Sequence, residues 1–206
     1  MITRSLLLAS LFATGLVATA DAALDLTTTA PEEYVSSGII HQRLVFKDGN
    51  RRVEMAFPPK WSVRDSSPAR LELTPSGKGF ATALLQTQPA GPRDLDEAAL
   101  KAFAQQALAA LPGDSQGGTV ESAAADPDGS GNCEVILTYK NLGYTFRRSV
   151  RFVNLPDWPL IAQISAPEAE FQALYITFRR TVQSLSWAET AASSPTTEVA
   201  AVTPLK

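Results

Sequence analysis

The order of elements in this chain predicts an α+β protein. The expected body is a two-layer α/β sandwich: a mainly antiparallel sheet of about six to seven strands with two helices on one face. Three observations carry that prediction. Short runs alternate apolar and polar residues and are joined by brief turn sequences, which pairs strands antiparallel. Two longer stretches repeat apolar residues at helical spacing. Two such amphipathic helices can bury their stripes together by lying side by side across one sheet face.

At the amino end, Arg4 precedes an apolar run over residues 6–17, and small residues follow at Ala18, Ala20 and Ala22. This is the pattern of a secretory signal peptide. It is too short for a bilayer span, which needs about 20 apolar residues. Residues 1–22 are therefore read as a signal cleaved after Ala20 or Ala22. The mature chain is expected to be periplasmic or secreted, without stable membrane insertion. Residues 23–38 read as an N-terminal linker of little structure, in which Tyr34 and Val35 could dock. Residues 39–187 form the expected domain. The stretch 188–206 holds Ala, Thr, Ser, Pro and Glu with few large apolar groups, so it reads as a disordered tail.

Within the domain, RLVF, KDGN and RRVEMAF read as a hairpin turning at Asp48-Gly49. Val53, Met55 and Phe57 alternate with Arg52 and Glu54. Pro58 lacks an N–H and stops the pairing, and Pro59 presets a turn. Trp61 then has two readings: it folds over the end of the sheet at this corner, or it anchors a partner, as aromatic residues do at interface centres. Next, RLELTPSGKGFATALLQTQ reads as a second hairpin. Its return strand, residues 80–87, is apolar on both faces, which suggests a central position covered on both sides or a strand whose outer face carries small residues.

The first helix opens with Asp94 as cap and Glu97 three residues on. Its stripe is Leu100, Phe103, Ala107, Leu108 and Leu111, and Pro112-Gly113 ends it. Four strands follow over residues 119–124, 133–139, 144–153 and 160–165. A second helix starts near Pro167 with the stripe Phe171, Leu174, Tyr175, Phe178, Val182 and Leu185, and Trp187 closes the domain.

This order, with a strand ending in Phe57, Pro58 and Trp61 and a final aromatic-rich helix, resembles the PsbP-like superfamily over residues 43–187. That superfamily includes the extrinsic PsbP protein of photosystem II, DcrB-type bacterial envelope proteins and a Ran-binding nuclear import factor. The resemblance implies a non-enzymatic accessory or binding role. The chain departs from the DcrB type in lacking a lipidation cysteine.

Chemistry is sparse. Lys and Arg total 18 against 21 Asp and Glu, a net charge of −3, which does not suit nucleic-acid binding. His41 is the one histidine and Cys133 the one cysteine, so an intrachain disulfide is excluded and a nucleophile–base pair has one combination. Cys133 starts an alternating strand and reads as a small buried group. Asp126, Asp128, Ser130 and Gly131 imitate the first half of an EF-hand loop, but Leu137 stands where a bidentate Glu is needed. A polar hairpin loop is the better reading. Asp96-Glu97 and Glu168/Glu170 suit the first turns of helices, and the turn at Ser76–Gly79 lacks the rest of a phosphate loop. No catalytic residue, cofactor or metal is called for.

One strand stands out. In YTFRRSVRF, Tyr144, Phe146, Val150 and Phe152 share a face with Arg148, and Arg147 and Arg151 point the other way. If the aromatic face meets the helices, Arg147 and Arg151 project from an open sheet face near Lys140, a basic patch that Trp61 could extend. Arg148 must then pair with an acid or snorkel to the sheet's end. The leading functional expectation is an exported accessory protein that binds another envelope protein. Its rivals are a small-molecule or lipid carrier with a pocket around Phe103, Phe152 and Phe178, and an unrecognised hydrolase.

Overall fold

The computed structural model describes residues 24–28, 31–48, 51–88, 95–155 and 158–188. The expected signal segment 1–22, the expected tail after 188, and the turn residues Gly49 and Asn50 lie outside the described residues. In chain order the first six strands are β1 (Glu32–Ser36), β2 (Ile39–Asp48), β3 (Arg51–Ala56), β4 (Trp61–Ser67), β5 (Arg70–Pro75) and β6 (Thr82–Thr87). Helix α1 (Glu97–Ala109) comes next, then β7 (Gln116–Ala125), β8 (Cys133–Asn141), β9 (Tyr144–Val153) and β10 (Leu160–Pro167). Helix α2 (Glu168–Gln183) and the short β11 (Ser186–Ala188) complete the described fold.

The chain is α+β and its strands pair antiparallel, but they form two sheets rather than one. Seven strands lie in the order β4-β5-β6-β10-β9-β8-β7, and four in the order β1-β2-β3-β11. As expected for an apolar strand, β6 lies inside the larger sheet, between β5 and β10.

The helices do not share a face. Residues opposite one another on neighbouring strands point the same way, so the register sorts the sheet into two sides. Leu160 faces Val153, Ala162 faces Arg151 and Ile164 faces Ser149. On that side Ala83, Leu85, Ala162 and Ile164 pack with Phe171, Phe178 and Val182 of α2, and with Leu44, Phe46, Val53 and Met55 of the smaller sheet. Ile161, which faces Phe152, lies on the other side. It packs in a second core with Val135, Leu137 and Val150 against Ala104, Ala107 and Phe103 of α1. The expectation of two helices on one face is therefore corrected. The physical reason is that β8 and β9 offer a full apolar surface to α1, while β6 and β10 offer another to α2.

The corner at Phe57-Pro58-Pro59-Lys60-Trp61 is where the chain leaves the smaller sheet for the larger one. Phe57 N donates to Gln42 O at 2.8 Å, and Lys60 takes the left-handed conformation, φ 66°. Trp61 then opens β4, buried and stacked on Phe178 of α2 with ring centroids 6.3 Å apart. Helix α1 is capped by Asp96, whose side chain accepts from Ala99 N at 2.7 Å, not by Asp94, which lies outside the described residues. Two residues of rank explain the shift: Asp96 puts Ala99 at the third helical position, which is where a cap's oxygen reaches.

The described part of residues 23–38, namely 24–28 and 31–38, is not a linker of little structure. Leu24 and Leu26 are fully buried. Asp25 N bonds Lys47 O at 2.9 Å, and Leu26 N bonds Pro68 O at 3.0 Å. Strand β1 pairs with β2 from Glu32–Arg43 to Ser36–Ile39. The alternation Leu24-Asp25-Leu26 was the available signal. Replacing Leu26 by Ala should destabilise the protein by about 2–5 kcal/mol, the usual range for a buried leucine. Urea unfolding monitored by tryptophan fluorescence measures it; a loss near zero would return this segment to the status of a linker.

Candidate functional site

The expected basic patch is not a surface. Arg147, Ser149 and Arg151 lie on the side of β9 that α2 covers, the reverse of the expected arrangement. Arg151 is only 5% exposed and pairs with Asp126, to which Nη1 donates at 3.2 Å and Nη2 at shorter range. Arg147 pairs with Glu121 of β7, Nε donating at 3.2 Å, and its guanidinium lies 4.9 Å from the ring centre of Phe171. Between them Glu134 accepts from Ser149 Oγ at 2.6 Å and from the Tyr175 hydroxyl at 2.8 Å, and Arg179 Nη1 donates to the same tyrosine oxygen at 3.2 Å.

These groups form a ladder that fastens α2 to β7, β8 and β9. The Arg147 side chain holds the Glu121 carboxyl below its ordinary range. Burial, and then the bond to Glu134, raise the Tyr175 phenol. Lys140 is exposed at the far end of β8 and joins none of the described ion pairs. Trp61 is in the core. The four residues proposed as one patch are thus two ladder members, one core residue and one isolated lysine.

The alternative carrier pocket is likewise corrected. Phe103 packs in the α1 core and Phe178 in the α2 core, on opposite faces, and Phe152 is buried within the sheet on the α1 side. No single cavity can have all three as its wall.

The sparse chemistry is distributed just as widely. His41 sits in the smaller sheet, stacked on Tyr34 with centroids 5.3 Å apart, while Cys133 is buried in the larger one. Desolvation pushes the Cys133 thiol up to about 11. The Asp126–Asn132 loop is a hairpin connection: Asp126 N bonds Asn132 O at 2.9 Å, and Ser130 N bonds Asp128 Oδ1 at 2.9 Å. Gly131 is required there, since φ is 74° and a Cβ would lie 2.6 Å from Asn154 Nδ2. Among the described residues no group of three His, Cys, Asp or Glu side chains is placed to hold a metal. None of their helices is long and apolar enough to cross a membrane.

The structure instead assembles a site that the sequence reading passed over. A surface groove of about 500 Å³ runs between the β1–β2 hairpin, the Phe57-Pro58-Pro59 corner and the later turns of α2. Tyr34, Ile40, Phe57 and Pro58 give it apolar walls, and His41, Glu33 and Arg180 give it a polar rim. Beside it stands an apolar tip. Val35 lies across from Ile40 and Ser36 across from Ile39; Val35, Ile40 and Ile39 are 71%, 66% and 59% exposed. The turn between them, Ser37-Gly38, has φ 52° and 76°, the doubly positive geometry of a tight hairpin. The outer edge of β1 has no strand partner among the described residues. Sequence could have flagged this feature, because Val35, Ile39 and Ile40 flank a Ser-Ser-Gly turn without a polar residue at every second position.

No protein-family model matches the chain, and no curated protein matches it. Among solved structures it is similar to cyanobacterial PsbP (CyanoP) from Synechocystis sp. PCC 6803, with 18% identity and a TM-score of 0.44 over 88% of this chain and 99% of that one. It is similar to LpqN, involved in cell envelope biogenesis of Mycobacterium tuberculosis, with 16% identity and a TM-score of 0.34 over 81% and 83% of the two chains. A third similar structure is PA94 of Pseudomonas aeruginosa, a protein of unknown function, with 14% identity and a TM-score of 0.36 over 79% and 100%.

Two outcomes follow from this geometry. Arg151→Ala should cost about 3–5 kcal/mol of stability, because it strands the Asp126 carboxylate at a mostly buried position; a change below about 1 kcal/mol in chemical denaturation would contradict the ladder. Cys133 should resist thiol reagents at pH 8 in the native state and react fully in denaturant. Its folded pKa lies above the ordinary 9.0, so the stability tied to it is complete below that value and falls as pH rises toward about 11. Rapid native labelling at pH 8 would refute the buried placement.

Proposed function

We propose that this chain is an exported, non-enzymatic accessory protein of the cell envelope. It holds a partner protein at the β1–β2 hairpin and the adjoining groove. The observation that supports this reading is the apolar tip itself. Val35 and Ile40 lie side by side in solvent on one face of the hairpin and Ile39 is exposed on the other, next to a walled groove and a strand edge that has no partner among the described residues. Contiguous exposed apolar surface of this kind is a mark of an interaction site. A free edge adds main-chain hydrogen bonds for an extended segment of the partner, and alternate side chains of that segment would reach Tyr34 and the Phe57-Pro58 wall.

A lipid surface suits the tip less well. Membrane-surface sites combine apolar residues with clustered lysine and arginine that meet anionic headgroups. Here the neighbouring charges on β1 are Glu32 and Glu33, and Arg43 is already bound to Glu54 at 2.7 Å.

Site-directed photocrosslinking in cells of the source organism tests the proposal. A benzoylphenylalanine at Ile40 should give one discrete protein adduct, and the same group at exposed Lys101 on α1 should give none. Adding Val35→Asp should abolish the adduct without lowering the melting temperature, since Val35 is mostly in solvent. Absence of an Ile40 adduct, or equal adducts at Ile40 and Lys101, would overturn it.

A further inference from the structure

We infer that the part of the larger sheet left uncovered by α1 holds a binding site for a compact oxyanion, with the Arg148 guanidinium supplying its charge. Strand β9 places Arg148 on the α1 side, where the sequence required it to find an acid or to snorkel outward. It does neither. Its Nη1 donates to the Ala110 carbonyl at 2.9 Å, the C-cap of α1, where a cation is favoured by the helix dipole. That is its one described hydrogen bond, and no described carboxylate forms an ion pair with it. The Nε–H is closed off from solvent and has no acceptor.

Capping α1 explains the position of Arg148 but uses one N–H of five. The Nε–H is closed off, so an arriving anion would meet the Nη end of the guanidinium, where Nη2 has no acceptor among the described residues. A cation that faces no described carboxylate favours an arriving anion.

The surroundings are built for such an acceptor. A cavity of about 100 Å³ is lined by Arg148 with Arg70, Glu72, Thr82, Gln163 and Ser165 and the apolar Leu84, enough room for a carboxylate or phosphate group and little more. Glu72 does not make it hostile to anions. Arg64 and Arg70 both hold that carboxylate, at 2.9 and 3.0 Å, which leaves Arg148 as the cation of the lining without a carboxylate partner among the described residues. Thr82 and Gln163 bring neutral donors. Ser165 is oriented by the Tyr139 hydroxyl at 2.5 Å. The ligand class is therefore a small molecule or chain end carrying one carboxylate or phosphate group.

The Arg Nε–Hε resonances of the ¹⁵N-labelled protein test this. Sodium acetate and, in a second series, inorganic phosphate are added at an ionic strength held constant with sodium chloride. A saturating shift of one Nε–Hε signal, lost in Arg148→Met, is expected with acetate. Saturation with phosphate alone would assign the site to phosphate-bearing ligands. Because Arg148→Met also removes the cap of α1, Gln163→Glu is the second variant. It supplies the carboxylate internally, so acetate affinity should fall by about 10-fold or more while the melting temperature in anion-free buffer rises. No saturating shift with either anion, or an undiminished response in Gln163→Glu, would overturn the inference.

Discussion

The fold depends on the two-sidedness of β9. Its neighbours β8 and β10 hold it in a register in which Phe146, Arg148, Val150 and Phe152 point to one side and Arg147, Ser149, Arg151 and Val153 to the other. A slip of one residue would exchange those sets wholesale, setting arginines against the apolar stripe of α1 and aromatic rings against the ladder under α2. Each helix is thus placed by the same strand, with a different chemistry. Helix α1 packs on a plain apolar surface, and α2 straddles an apolar floor on β6 and β10 and a row of ion pairs on β7, β8 and β9.

That row is stable because it is complete. Glu134 has a donor for each carboxylate oxygen, from Ser149 and Tyr175, and Arg151 has both oxygens of Asp126. Buried charge without such pairing would raise the free energy of the folded state by several kcal/mol. The contrast with Arg148 is informative, since the same strand carries a guanidinium that the described protein does not satisfy. The two arginine environments of β9 divide the molecule: charge on the α2 side is consumed by structure, and charge on the α1 side is left available.

Much of the element order was legible in sequence. The alternation of Val53, Met55 and Phe57, the turn at Ser76-Gly77, and the stripe from Phe171 to Val182 are local signals, and local signals survive into the fold. Strand β4 was not legible, because Trp-Ser-Val-Arg-Asp-Ser-Ser is polar and its pairing is broken by an irregularity between Val63 and Asp65. Strand β11 spans three residues and depends on β3 for its existence. The sidedness of the helices was out of reach for a different reason. Alternation shows that β9 has two faces, but not which helix each face meets, and a strand with aromatics on one side invites both helices to be placed there. The groove was hidden for the same reason, since β1, the Pro58 corner and α2 meet only after two sheets have folded together.

The exposed tip and the anion cavity lie on different parts of the body, the first on the smaller sheet and the second on the larger. They can therefore serve separate ligands without sharing a residue. What links them is the layering, since α2 lies against one face of the larger sheet and α1 covers only part of the other. Methyl and aromatic NOEs in the intact protein test that layering most directly. Val150 and Ile161 should show contacts to Ala104 and Ala107 of α1, and Ile164 and Ala162 to Phe171 of α2, with no crossing between the sets. Contacts from Val150 to Phe171, as two helices side by side on one face would give, would contradict it.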